Sequence, residues 1–220
     1  MKGLLTKDLI TIKKYMVFNV IILIVFGLAG LISRNFFYIS YTVPFIVLSF
    51  FSLFSVDETY KWDFYAMSLP VSRREYVLAR YVLAAVAIGI FLGILFLGRL
   101  AMLLYMRTEN VSGLWRENLQ NFGIYQVFLM PLLMLLYTAI AFPVIYKFGA
   151  IKSRMFVTLI FFVTVFGGMA ALFYVLGHGA TNFSITAIPI VVKILPVVLI
   201  PIFYFLSFRL SVKIFSNKDL

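Results

Sequence analysis

Cysteine is absent from the sequence and histidine occurs once. No disulfide, thiolate metal site or cysteine nucleophile is available, and a histidine-rich metal centre is excluded too. Acidic residues are scarce, and all eight of them (Asp8, Asp57, Glu58, Asp63, Glu75, Glu109, Glu117 and Asp219) lie in flanks or loops between apolar runs. Proton- and sodium-coupled carriers often hold a carboxylate inside a span, so ion-coupled carriage loses weight. Also missing are GxSxG, HExxH, the Walker-type GxxxxGK[ST] and an EF-hand loop. The chain offers no catalytic set, no metal site and no ATP-binding motif of its own.

What is abundant is apolar surface. Of 220 residues, 64% are hydrophobic and 18% aromatic, against 12% charged. A single soluble core of this length cannot bury so much, and the apolar runs recur from end to end without room for an independent globular unit. The composition therefore predicts an all-α polytopic membrane protein, one membrane domain over 1–220. A span needs about 20 mainly apolar residues. Six stretches meet that demand: Tyr15–Ile32, Phe37–Val56, Tyr81–Tyr105, Ile124–Tyr146, Met155–Leu176 and Ile185–Phe208.

The formal charge of +11 does not indicate nucleic acid, because the basic residues form short clusters between the apolar runs rather than one patch. One set of flanks, comprising the N-terminus, the loop at 57–80, the turn at 147–154 and the tail at 209–220, carries fourteen Lys and Arg, whereas Arg34, Arg107 and Arg116 are the three on the other side. The positive-inside rule places both termini in the cytoplasm. The first flank, residues 1–14, lacks a small-residue cleavage site and reads as an interfacial helix in which Leu4, Leu5, Ile10 and Ile12 alternate loosely with polar residues.

Two basic residues remain inside spans. Arg99 lies near the outer end of the third, where a long side chain reaches the headgroups. Lys193 lies about 12 Å along the sixth and needs a partner, an aqueous vestibule or a later helix start. Both are candidates for a translocation path. Pro189, Pro196 and Pro201 punctuate that last span; a proline-kinked helix and a short re-entrant piece before the true span fit equally. Ala85, Gly89 and Gly93 form a small-residue stripe that lets another helix approach closely.

The informative segment is DETYKWDFYAMSLPVSRREYVLARY, residues 57–81. It is too long for a turn and too small for a domain. Read as a helix, Lys61, Trp62, Tyr65 and Leu69 share an approximate face. Pro70 stops that piece, and Ser72 caps a second helix that runs into the third span. A short amphipathic helix across the membrane mouth is the geometry of a docking element. Aromatics lying in the lipid interface would show the same pattern, and periodicity leaves both readings open.

The N-terminal MKGLLTKDL with its basic flank, and the DE…W..Y…SLPVSRREYV.ARY pattern after the second span, resemble the permease subunits of type-2 ATP-binding-cassette exporters. The six-span plan extends the resemblance over the whole chain. It looks most like the small bacterial permeases that export amphipathic peptides such as phenol-soluble modulins or confer antimicrobial-peptide resistance. The resemblance implies a multi-pass subunit of the bacterial plasma membrane. Its implied partners are a second permease chain (homo- or heterodimer), a cytosolic ATPase subunit holding the ATP and Mg, and an amphipathic peptide or hydrophobic cargo. It assigns ATPase coupling to Asp57, Glu58, Trp62, Tyr65, Leu69, Pro70, Arg73, Arg74 and Glu75, with the turn Lys147–Arg154 as a weaker second contact. A non-transporting sensor or assembly module is the alternative, and an intramembrane enzyme comes third.

Overall fold

A computed structural model of the chain describes residues 2–32, 39, 42–105, 124–167 and 190–218. The described residues are helical and contain no strand. The elements are α1 (Lys2–Ile32), α2 (Thr42–Thr59), the short α3 (Trp62–Ser68), α4 (Arg73–Tyr105), α5 (Ile124–Phe148), α6 (Ala150–Phe162) and α7 (Ile190–Ser216). A π-helical stretch, Val163–Gly167, continues α6. Five of the helices are long and apolar enough to cross a membrane, and α1 makes a sixth when its two parts, Gly3–Tyr15 and Val17–Gly30, count as one span bent by 50°. The bend falls where the basic flank meets the first apolar run. The protein is thus an all-α polytopic membrane protein.

Two compact units emerge, one from residues 1–56 and 79–131, the other from 57–78 and 132–220. In the first, Asn19 of α1 donates a hydrogen bond to Ser49 Oγ of α2 at 2.9 Å, a polar tie of the kind that holds helices together where apolar contacts gain little over lipid. Along α4 of the same unit, Ala84, Ile88, Phe91 and Leu95 are buried while Val82, Val86, Ile90 and Ile94 are exposed. The two stripes repeat every three to four residues, one for protein and one for lipid. A Cβ added at Gly89 or Gly93 would meet nothing within 4 Å, so among the described residues no helix approaches the small-residue stripe closely.

The first unit also holds an ion pair that the pattern of runs did not reveal. Arg80 Nε lies 3.1 Å from Asp8 Oδ2, and the two residues are only 1% and 2% exposed. Lys7 meets the other carboxylate oxygen at 3.1 Å, and the guanidinium lies over the Phe54 ring, 4.7 Å from its centre. Arg80, which reads in the sequence as a loop charge, is instead part of α4 and fully enclosed.

In the second unit, Met134, Tyr137, Thr138, Ala141, Phe142 and Ile145 form the buried stripe of α5, and Ser207, Phe208, Ser211 and Phe215 that of α7. The Ser207 hydroxyl donates to the carbonyl oxygen of Ala139, joining the stripes. α7 is continuous through Pro196 and Pro201, which favours a single proline-containing helix over a break between residues 190 and 216. It also runs on past Phe208 to Ser216, so most of the expected tail is helix. Pro189 and the turn before it lie outside the described residues. So do the Lys193 side chain and residues 168–176, the end of the expected fifth span.

Candidate functional site

The segment 57–78 belongs wholly to the second unit, and its path is set by three local devices. α2 ends at Thr59, and the chain reverses in a turn closed by the Lys61 N–H on the Glu58 carbonyl at 3.2 Å. Lys61 has φ 50°, a left-handed conformation that breaks the helix and lets α3 start in a new direction. α3 ends at Ser68, and Leu69 is extended at φ −85°, ψ 159°, as a residue before proline prefers. Ser72 then opens α4 with a reciprocal capping box: its Oγ accepts from the Glu75 N–H at 3.2 Å, and its own N–H donates to Glu75 Oε2 at 3.0 Å. Such a cap contributes about 1 kcal/mol.

The expected face is only partly realised. Lys61 precedes α3 and Leu69 follows it, so neither belongs to the helix. Ala66 is fully buried and fixes the inner side, whereas Tyr60 is 79%, Phe64 55% and Tyr65 57% exposed, with Leu69 beside them. Trp62 is half-buried, and its ring lies against that of Tyr65 with 5.1 Å between centres. The exposed aromatics, Tyr60 in the turn before α3 and Phe64 and Tyr65 within it, are termed the ridge; Pro70 and Arg74 are exposed as well. Sequence reasoning named Tyr65 and did not single out Tyr60.

The charges on the segment point elsewhere. Glu58 Oε2 accepts the Ile151 N–H at 2.9 Å, placing a carboxylate on the N-terminus of α6, where the unpaired amides and the helix dipole favour a negative charge. Between α5 and α6 the break is Gly149 alone, with φ 83° and ψ 161°; a Cβ there would lie 2.7 Å from the Glu58 carboxylate. The expected eight-residue turn at 147–154 is thus a single glycine between helices. Arg73 Nη1 donates to the carbonyl oxygens of Phe215, Ser216 and Lys218, a cation on the C-terminus of α7. Asp63 accepts from the Tyr76 hydroxyl at 2.6 Å and pairs with Lys218 at 3.8 Å. Under these bonds the Tyr76 ring stacks on Phe215, centres 5.2 Å apart and planes 19° from parallel, and Tyr146 meets Phe215 edge-on at 5.6 Å.

Glu58 and Arg73, expected among the outward contacts, therefore face the protein's own helix ends, and Asp57 is buried as well. Arg74 stays outward. Asp63, Tyr76, Tyr146, Gly149, Phe215 and Lys218 were missed as parts of this cluster, since their partners are up to 145 residues away. Of the two candidates for a path, Arg99 is half-buried on the C-terminal half of α4 in the first unit, and Lys193 falls in the first described turn of α7. Among the described residues no group of acidic, histidine or cysteine side chains is arranged to hold a metal ion.

In comparison with known proteins, the model of a family described as ABC-2 family transporter protein matches residues 3–216. No curated protein and no solved structure gives a significant match.

Proposed function

Since the chain belongs to the ABC-2 family of transporter proteins, we propose that it is the membrane subunit of an ATP-driven exporter in which the ridge of Tyr60, Phe64 and Tyr65 docks a separate ATPase subunit. ATP and Mg are held on that partner. Both chain termini and the segment 57–78 face the cytoplasm, a reading supported by the bias of Lys and Arg toward these flanks. A second permease chain completes the pathway, and the whole works in the plasma membrane of a bacterium. The cargo is an amphipathic peptide or another hydrophobic compound, in keeping with 25 Phe and 13 Tyr.

The observation that carries this reading is exposure. Large aromatics on a short helix whose inner side is fixed by buried Ala66 form the kind of anchor that fills a pocket on a partner. Truncating such an anchor costs about 2 kcal/mol or more, roughly 30-fold in affinity. Phe64→Ala with Tyr65→Ala should accordingly reduce recovery of the ATPase subunit that co-purifies with the wild-type chain, at unchanged membrane yield. If the ridge serves only as a lipid anchor, the double variant loses membrane yield and keeps the ATPase.

A further inference from the structure

We infer that Glu58 and Arg73 are positioning residues, which clasp the start of α6 and the end of α7 to the segment 57–78 so that these helix ends move with it as one body. The inference rests on the transporter reading for its consequence, but its geometry stands independently. Glu58 is bonded to the first turn of α6 and Arg73 to the last carbonyls of α7. Each is a charge-assisted contact at the helix end whose dipole it complements.

Four further contacts close the clasp. The Asp63 carboxylate takes the Tyr76 hydroxyl and Lys218, so α3, α4 and the residues after α7 share one polar node. Phe215 is fully buried beneath Tyr76 and Tyr146, which adds the end of α5 through an aromatic cluster. Gly149 is the only kind of residue that fits, because its φ of 83° lies in the region L side chains avoid and the Glu58 carboxylate occupies the space of a Cβ. The break between α5 and α6 is therefore held at both of its ends: through Tyr146 on one side and through Glu58 on the other.

The consequence is a route for force. A displacement applied to the exposed ridge passes through the Glu58 side chain to α6 and through the Arg73 side chain to α7, by the hydrogen bonds that hold each to a helix end. The turn after α5 then needs no partner contact of its own to follow. Coupling by packed elements that shift as a body is an established way of carrying a binding event to a distant site.

The first test uses the purified chain alone, in lipid nanodiscs, by amide hydrogen exchange. Glu58→Ala should speed exchange at Ile151 and the first turn of α6 about tenfold or more, and Arg73→Ala should do so at the last turn of α7, as expected for loss of a bond to a charged group. Glu58→Gln keeps a carbonyl acceptor and should restore most of the protection. Arg73→Lys keeps a cation with its donors on one nitrogen, as the contacts of Nη1 alone require, and should restore part of the protection. Unchanged exchange in both alanine variants overturns the clasp. The second test adds the ATPase subunit: both alanine variants should bind it as the wild type does, yet lose at least half of the hydrolysis stimulated by an amphipathic helical peptide. Normal stimulation beside faster exchange overturns the positioning role. Failure of the wild-type chain to bind any ATPase sinks the transporter reading instead, and the exchange data still decide the clasp.

Discussion

Removing the Asp8 carboxylate should be among the most damaging single changes available in the first unit. Arg80 and Asp8 are 1% and 2% exposed and lie 3.1 Å apart, so Asp8→Ala takes from an enclosed guanidinium a carboxylate that helps to offset its desolvation. Breaking a buried pair in this way costs about 3–5 kcal/mol. Lys7 adds little to the penalty, because its side chain is partly exposed and can turn to water. For a chain of this length each kcal/mol corresponds to about 2–4 °C, which gives a loss of about 6–20 °C. The assay is the temperature at which monodisperse elution from a sizing column is lost in one fixed detergent. Asp8→Leu combined with Arg80→Met removes both charges, and the buried methionine can still pack on Phe54; most of the loss should return. A single variant within about 2 °C of wild type, a shift worth less than about 1 kcal/mol, would refute the argument. So would a double variant as unstable as the single one.

Gly149→Ala meets both a positive φ and the Glu58 carboxylate at 2.7 Å. It should cost about 1–3 kcal/mol, read by the same thermal assay, and should raise exchange at Ile151 as Glu58→Ala does; an unshifted midpoint would count against the described turn. For topology, reporter fusions after Val56, Lys147 and Leu220 should read cytoplasmic, while fusions at Ser112 and Gly179 should read external. A cytoplasmic signal at either of the last two would break the six-span arrangement.

Much of the fold was legible because lipid imposes a simple code: about 20 apolar residues per span, with basic residues gathered on one side. The helix restart after Pro70 was legible for an equally local reason, since S-x-x-E at Ser72–Glu75 satisfies orphan amides within one turn. The cluster was not. Glu58 finds Ile151 across 93 residues and Arg73 finds Ser216 across 143, distances that no periodicity encodes. The same charges in the sequence suit an outward docking face, and only the fold brings Glu58, at the end of α2, against the start of α6. Asp8 and Arg80 hid for a related reason, each sitting among flank charges that count toward topology, whereas burial turns them into a structural pair. Gly149 did leave a signal, a glycine directly after an apolar helix, but its dependence on the Glu58 side chain belongs to tertiary structure alone.

The most direct test of the central claim is reconstitution of the chain with the ATPase subunit that co-purifies with it, followed by measurement of ATP hydrolysis with and without an amphipathic helical peptide. The account predicts peptide-stimulated hydrolysis that requires the wild-type ridge and falls to the unstimulated rate when Phe64 and Tyr65 are both replaced by alanine. Equal stimulation from the wild-type chain and the double variant, at equal membrane yield, would contradict it.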